Sequence, residues 1–273
     1  MQQIKAIVSK NKKIYNFIRS KSFFLRYYDK HLDRLHKKYT LKNLDRIKDL
    51  RLLLNDEDSK KTLDMIVKNR LEGVTKHNYD FDRGVQYFSI KEFSDQLINE
   101  VFVDAGSYDG DTLESFLKLT KGKFKEVHCI EPDLENLKKL ESKVKHKKLN
   151  NVFIHPIGLW SHKDSLSFEL GNTSNSKLTK NANSMINVDS IDNLFKDKKI
   201  TFIKMDIEGA ELSAIKGSIK TIQKYKPKLA ICLYHKPSDL LEIPLLIKDL
   251  NSDYKFDLRH YSSNYYETVL LAY

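Results

Sequence analysis

Cysteine is scarce in this chain: 273 residues contain two, Cys129 and Cys232. Each lies inside an apolar run, so the pair reads as buried free thiols, which excludes a disulfide-stapled secreted scaffold. Long hydrophobic runs are absent too. The longest, Leu229 to Tyr234, has about half a dozen residues, against the roughly 18 a membrane-spanning helix needs. Lysines break every apolar stretch in the first thirty residues, which leaves no core for a signal peptide. The expected location is therefore cytoplasmic. No internal repeat is visible. Apolar residues at 40% and aromatics at 11% are plentiful enough for a core, which excludes wholesale disorder.

The net charge of +11 is unevenly spread. Residues 1–51 carry 15 Lys/Arg against 4 Asp/Glu, and the other 222 residues carry 33 of each sign. A neutral body with a basic leader points to a docking segment rather than to a nucleic-acid binder, and no recognised nucleic-acid module accompanies the charge. Helical spacing of Ile4, Ile7, Val8, Ile14, Tyr15 and Ile18 predicts an amphipathic first helix. A second carries Leu32, Leu35, Leu44, Ile47 and Leu50, and a third Leu63, Ile66, Val67 and Leu71, ending at Gly73. Residues 1–75 thus form a basic helical region. Its apolar faces either pack on the rest of the chain or on a second subunit, as in a homo-oligomer, or lie on an anionic inner-membrane surface. Residues 76–99 form an aromatic connector holding Tyr79, Phe81, Tyr87, Phe88 and Phe93.

From residue 100 short β-rich runs alternate with helical patterns, which predicts an α/β domain over 100–273 with a mainly parallel sheet. Strands are expected at 101–105, 126–131, 151–155, 200–206 and 228–234, with an antiparallel hairpin of 254–260 and 267–273 at the end. A single helix is expected over 209–224, and Pro237 at the first position of the next one. Between the third and fourth strands an extra hairpin (157–160 with 166–170) precedes the polar tract 171–184, read as a mobile loop and acceptor-selecting lid.

The chemistry concentrates at strand ends. Val101–Thr112 runs from an apolar strand into Asp104, then Gly106 and Gly110, then a helix. The third glycine of a dinucleotide fingerprint is missing, and Asp104, Asp109 and Asp111 crowd the turn. Carboxylates suit a ligand bearing a cationic amino group and a sulfonium, namely S-adenosylmethionine. Glu131 ends the second strand, where a carboxylate can grip a ribose diol, while Asp133 is equally placed to cap the following helix. Asp206 ends the fourth strand beside the first, facing the crevice where open α/β sheets bind ligands, and could accept the proton of an attacking hydroxyl. Glu208 and Glu211 follow it, as substrate contacts or as a helix first turn. Paired carboxylates there could hold Mg²⁺, but the run offers no clear third ligand, so no metal is assigned. His235, directly after the fifth strand, is a candidate base or substrate contact beside Tyr234 and Lys236. His260 reads as packing. Trp160 and Tyr108 can stack on a ligand or fill the core.

The runs Phe102-Val-Asp-Ala-Gly-Ser-Tyr-Asp-Gly-Asp-Thr112, Ile130-Glu-Pro-Asp133, Ser190-Ile-Asp-Asn-Leu194 and Ile203-Lys-Met-Asp-Ile-Glu-Gly-Ala-Glu211 resemble, in this order, the FkbM family of S-adenosylmethionine-dependent methyltransferases. The likeness extends through Lys226-Pro-Lys-Leu-Ala230, Tyr234-His-Lys-Pro237, Leu258-Arg-His-Tyr261 and Glu267-Thr-Val269, over roughly residues 85–273. It implies a seven-stranded Rossmann-like class I sheet and methyl transfer to a hydroxyl, often of a sugar or polyketide. By that likeness Asp104, Gly106 and Gly110 line the methionine end of the cofactor and Glu131 the ribose, with Ser107, Tyr108, Asp111, Thr112, Pro132 and Asp133 in the same two turns. Asp206 and His235 are then catalytic, and Glu208 and Lys236 contact substrate. The expected activity is O-methylation of a small-molecule or lipid-linked sugar acceptor for a cell-surface polysaccharide. A nicotinamide-dependent oxidoreductase and a non-catalytic scaffold on the same sheet are the rivals.

Overall fold

A computed structural model describes residues 30–74, 77, 79–169, 177–178 and 184–273. The expected first helix and most of the tract 171–184 lie outside the described residues. Helix α1 covers residues 30–42 and α2 Leu44–Leu53, so the expected second helix is broken at Asn43, whose amide bonds the Thr40 carbonyl at 3.1 Å. Helix α3, Glu57–Glu72, starts where Asp56 accepts the Ser59 amide and ends at Gly73 (φ 124°), whose N–H donates to Asn69 O. A short helix α4, Lys91–Ser94, leads into the sheet domain.

There β1 (Val101–Ala105), α5 (Asp111–Thr120), β2 (Glu126–Ile130), α6 (Leu134–His146) and β3 (Val152–His155) alternate. After an excursion come β8 (Phe202–Met205), α8 (Glu211–Lys216), α9 (Ile219–Tyr225), β9 (Lys228–Cys232), α10 (Asp239–Leu250), β10 (Phe256–His260) and β11 (Thr268–Ala272). The excursion holds β4 (Gly158–Leu159), β5 (Asp164–Glu169), β6 (Lys177–Leu178), β7 (Ser184–Asp189) and α7 (Ile191–Leu194).

The main sheet has seven strands in the order β10-β11-β9-β8-β1-β2-β3. All neighbours are parallel except β11, which runs antiparallel to both β10 and β9. Every residue of β1 is buried, because helices cover both faces and a parallel strand then needs no polar side. Alternation sorts the strand: Val101, Val103 and Ala105 join Ile203, Met205, Leu229 and Ile231 in one core layer, while Phe102 joins Phe202, Phe116 and Phe88 in the other. Phe102 and Phe202 stack across the strand pair with centroids 4.5 Å apart.

Three local expectations are corrected. The excursion forms no hairpin between 157–160 and 166–170. Instead β4 pairs parallel with β7, and β5 pairs antiparallel with it, building a separate four-stranded sheet in the order β4-β7-β5-β6. The single helix over 209–224 is two helices, broken at Gly217. A Cβ on Gly217 would stand 2.2 Å from the Trp160 carbonyl, so the chain closes there against the second sheet. Asp192 of the Ser-Ile-Asp-Asn-Leu run then caps α9 by accepting the Lys220 and Thr221 amides at 2.9 and 2.8 Å. Pro237 precedes α10 rather than opening it, and its carbonyl accepts from Arg70 at 2.8 Å.

The basic region belongs to the fold from residue 30 onward. Leu50, Leu54, Leu63 and Ile66 share a core layer with Ile203, Leu241 and Phe256. Ser59 Oγ accepts the Leu258 amide at 2.8 Å, and Arg259 reaches Asp56 at 2.6 Å.

Candidate active site

Parallel register brings the strand ends to one edge. Asp104 pairs with Cys129 on one side and Lys204 on the other, and Met205 with Ile231. Gly106, Glu131, Asp206 and the segment after Cys232 therefore emerge side by side, where the strand order reverses between β1 and β8.

The β1 turn is built from inside. Gly106 (φ 73°) donates its amide to Ile130 O at 3.0 Å, and a Cβ there would lie 1.8 Å from Asp206 O. The first glycine is thus demanded by backbone packed on backbone. Gly110 (φ 88°) lies against α6, with Leu140 2.9 Å from its would-be Cβ. Ser107, buried, donates to Asp104 O at 2.6 Å. Tyr108, in the left-handed region at φ 48°, keeps its ring partly exposed. Asp111 opens α5 and accepts the Thr112 amide, while Asp109 is half-buried, 3.9 Å from Lys143 Nζ.

Glu131 ties two turns together. Its Oε2 accepts the Tyr108 amide and its Oε1 the Asp133 amide, both at 2.9 Å. Burial pushes this carboxyl up, opposed by those amides. A carboxylate offers about four acceptor positions, so two remain for the hydroxyls of a ribose diol. Pro132 and Asp133 follow it, and Asp133 caps α6 by accepting from Glu135 and Asn136.

Asp104 has no exposed surface and faces Lys204, whose Nζ lies 3.1 Å from Oδ1 and donates to Gly106 O at 2.7 Å. Burial raises the Asp104 carboxyl against the pull of Lys204. Burial works to lower the lysine, but Asp104 and Asp206 outweigh it and hold it charged.

Asp206 sits at the centre of the edge. Tyr234 donates to its Oδ1 and Tyr87 to its Oδ2, both at 2.9 Å. Burial acts to raise its pKa, but the charges of His235 and Lys204 and the two hydroxyls hold it below the ordinary carboxylate range. His235 Nε2 lies 3.4 Å from Asp206 Oδ1 and 3.6 Å from Glu208 Oε2, and Nδ1 lies 2.9 Å from Glu211 Oε1. Burial opposes its protonation, and Glu211, then Asp206 and Glu208, push it up to about 9. Glu208 occupies the left-handed region at φ 56°. Glu211 opens α8 and turns back to accept the Ile207 amide at 2.8 Å. Lys236 donates to Gly209 O.

A family model described as the methyltransferase FkbM domain matches residues 104–256 of this sequence. The chain belongs to the FkbM methyltransferase family. Among solved structures it is similar to the methyltransferase FkbM of Methylobacillus flagellatus KT, with 30% identity and a TM-score of 0.71 over 87% of this chain and 60% of that one. It therefore spans about 60% of that relative's length. The seven-stranded sheet is that of a class I methyltransferase. A more distant likeness is to fibrillarin of Aeropyrum pernix with natively bound S-adenosyl-L-methionine: 8% identity, TM-score 0.41, 64% of this chain and 67% of that one. Another is to a Streptococcus mutans putative methyltransferase in complex with SAH: 14% identity, TM-score 0.40, 66% of this chain and 95% of that one. A search of curated proteins finds no match.

In this FkbM chain, reading the sequence alone missed three parts of the site. Lys204 lies in the same motif as Asp206, yet nothing in the sequence announces a buried ion pair with Asp104. Tyr87 comes from the aromatic connector and Tyr234 from the end of β9; both clasp Asp206. His235, expected as a base or substrate contact, does stand beside these carboxylates, about thirty residues downstream of Asp206. Glu211, Asp206 and His235 each offer an atom within 4.8 Å of the others. His260 is buried between the Tyr79 ring and Thr268. A concavity of about 550 Å³ runs along the second sheet by Lys163, Asn187 and Asp189, away from this edge.

Proposed function

We propose that this chain is an S-adenosylmethionine-dependent O-methyltransferase acting on a hydroxyl of a sugar or glycan precursor of cell-surface polysaccharide type. The observation that carries the reading is the FkbM domain match over residues 104–256, with Glu131 and Asp206 at one sheet edge. The residues present fit the cofactor: the Glu131 carboxylate retains acceptor capacity for a diol, and Gly106 and Gly110 leave the adjoining turn without side chains. When bound, S-adenosylmethionine would supply the methyl group on a sulfonium.

The chain's own residues account for the rest. Glu131 binds the ribose hydroxyls, and the Gly106–Gly110 turn gives the methionine end a close backbone surface. Asp206, clasped by Tyr87 and Tyr234, holds an acceptor hydroxyl in line. Asp206 Oδ would take the proton of that hydroxyl. His235, 3.4 Å from Asp206 Oδ1, orients that carboxylate. Glu208 and Lys236 stand at the mouth for acceptor contact. Support for the hydroxyl acceptor comes from the family likeness and the Asp206 carboxylate at the sheet edge.

On this reading the enzyme works in the cytoplasm, and no described helix is long and apolar enough to cross a membrane. The surplus charge of residues 1–51 would hold it at an anionic inner-membrane surface where a lipid-linked acceptor is presented. Calorimetric titration with S-adenosylhomocysteine, beside NAD and a Glu131→Ala variant, tests the proposal. Micromolar binding of the homocysteine compound, weakened in the variant and absent for NAD, is expected. No binding by folded protein would sink it.

A further inference from the structure

We propose that His235, Asp206 and Glu208 form a site for one divalent first-row transition cation, with Glu211 holding the histidine from behind. The distances from His235 Nε2 to Asp206 Oδ1 (3.4 Å) and to Glu208 Oε2 (3.6 Å) set the geometry. Around a four-coordinate ion with ligands at about 2.0–2.2 Å, neighbouring donor atoms lie about 3.3–3.6 Å apart. Both carboxylates already stand at that separation from His235 Nε2.

Glu211 supplies the second half of the arrangement. Its Oε1 is 2.9 Å from His235 Nδ1, the position from which a carboxylate fixes an imidazole tautomer and leaves Nε2 bare toward a metal. An independent observation points to a missing ligand. The His235 side chain is 7% exposed, yet its Nε2 makes no hydrogen bond. Glu211 has no exposed surface, and its Oε2 makes none either. Buried polar atoms in folded proteins are almost always paired, so an open Nε2 between two carboxylates asks for an ion. The nearby lysines do not fill the role: Lys204 is turned to Asp104 and Gly106 O, and Lys236 to Gly209 O.

One imidazole with two carboxylates suits Zn²⁺ or Mn²⁺ better than Mg²⁺, which prefers an all-oxygen, largely hydrated shell. The binding stands apart from methyl transfer. Its catalytic use rests on that proposed function: a cation beside Asp206 would lower the pKa of an acceptor hydroxyl that it touches.

Untagged protein, stripped with a chelator and dialysed, is titrated calorimetrically with ZnCl₂ and separately with MgCl₂. One Zn²⁺ per chain is expected, with Mg²⁺ at least 100-fold weaker. Binding is lost in His235→Ala and weakened about 10–100-fold in Glu211→Gln. Circular dichroism checks each variant. Should either fail to fold, the Co²⁺ spectrum of the wild type decides: bands of nitrogen and oxygen ligation support the site, and a thiolate charge-transfer band, moving the ion to Cys129 or Cys232, overturns it. Folded wild type that takes up no Zn²⁺, or uptake unchanged in His235→Ala, also overturns it. S-adenosylhomocysteine is titrated in parallel. Zn²⁺ uptake without it leaves the cation site and removes the methyltransferase reading; the reverse removes only the cation site.

Discussion

Replacing Lys204 with methionine should be among the most damaging single changes at the sheet edge, although it removes nothing from the protein's surface. Its Nζ lies 3.1 Å from Asp104 Oδ1 and bonds Gly106 O at 2.7 Å, in a side chain that is 2% exposed. Two unit charges at that separation attract by about 5 kcal/mol at an effective dielectric constant near 20. The attraction offsets the cost of taking both ions out of water. Methionine keeps the volume and leaves Asp104 buried beside the stacked Phe102 and Phe202 with no counter-charge. Breaking one side of a buried pair costs about 3–5 kcal/mol, a large share of the roughly 5–15 kcal/mol that holds a domain folded. The assay is urea unfolding of the wild type, Lys204→Met, Asp104→Asn and the double variant. Lys204→Met should lose about 3–5 kcal/mol. The double variant should cost less than the two singles added, by about 2 kcal/mol, because neither charge is then left alone. Since the Gly106 carbonyl is released, S-adenosylhomocysteine should also bind at least tenfold more weakly. A Lys204→Met loss below about 1 kcal/mol, or strict additivity in the cycle, would refute the reasoning.

Gly106→Ala should not yield a folded protein at 37 °C, because the new Cβ would meet Asp206 O at 1.8 Å in a backbone already at φ 73°; soluble protein with wild-type melting would contradict the packing described. Glu131→Gln keeps the side chain's shape but puts an amide where one oxygen now accepts a backbone N–H, so homocysteine-compound affinity should fall about 10–100-fold and stability by about 1–2 kcal/mol; unchanged affinity in calorimetry counts against the ribose assignment. Acid should destabilise the fold through two buried histidines. Burial, with Arg70 adding to it, holds His36 down from 6.5 to about 3, and burial, with Lys198 adding and Glu126 opposing, holds His128 down to about 4. The unfolded chain takes up these protons first, so stability present above pH 6.5 is lost as pH falls toward those values, about 1–2 kcal/mol per histidine by pH 5. Denaturant unfolding at pH 7 and pH 5 tests this, and a flat profile would be incompatible with it.

Much of the fold was legible because its signals are local. The five parallel strands and the terminal antiparallel pair are short β-rich runs bounded by polar turns, and the carboxylates at their tips follow directly. Asp104, Glu131 and Asp206 do reach one edge, as strand ends in a parallel sheet must. What surrounds them was not legible, since it depends on which strand lies beside which. Lys204 meets Asp104 only because β8 pairs with β1 in that register. Tyr87 reaches Asp206 from 119 positions earlier in the chain. Gly106 looked like a place for a ligand to approach, and the close approach is that of the Asp206 carbonyl. Gly217 breaks a helix whose periodicity runs straight through it, because the constraint comes from Trp160 in another sheet. The second sheet itself was misread as a hairpin. Local alternation marks a strand but does not name its partner, and the polar tract 171–184 separates Ser184–Asp189 from the strand it pairs with.

The change of texture near residue 100 separates two kinds of sequence, yet the hydrophobic core runs across it. Leu50, Leu54, Leu63 and Ile66 are all buried against the side of the sheet that carries Phe256 and Leu258. At about 1.5–3 kcal/mol for each fully buried side chain, these four contribute about 6–12 kcal/mol, comparable with the whole stability of an ordinary domain. The polar contacts agree. Deleting α3 would leave the buried Leu258 amide without its Ser59 partner and Arg259 without Asp56, its shortest ion pair, so that among the described carboxylates Asp82 and Asp257 remain at 3.7 and 3.9 Å. A fragment of residues 76–273 should therefore be aggregation-prone and melt well below the full chain, although it contains every residue of the candidate site. The comparison needs only expression of both and a thermal scan of the soluble fraction. A fragment that is soluble and melts with the full chain would mean that the helices rest on the sheet without holding it, and that the packing of α3 on β10 contributes far less than its burial implies.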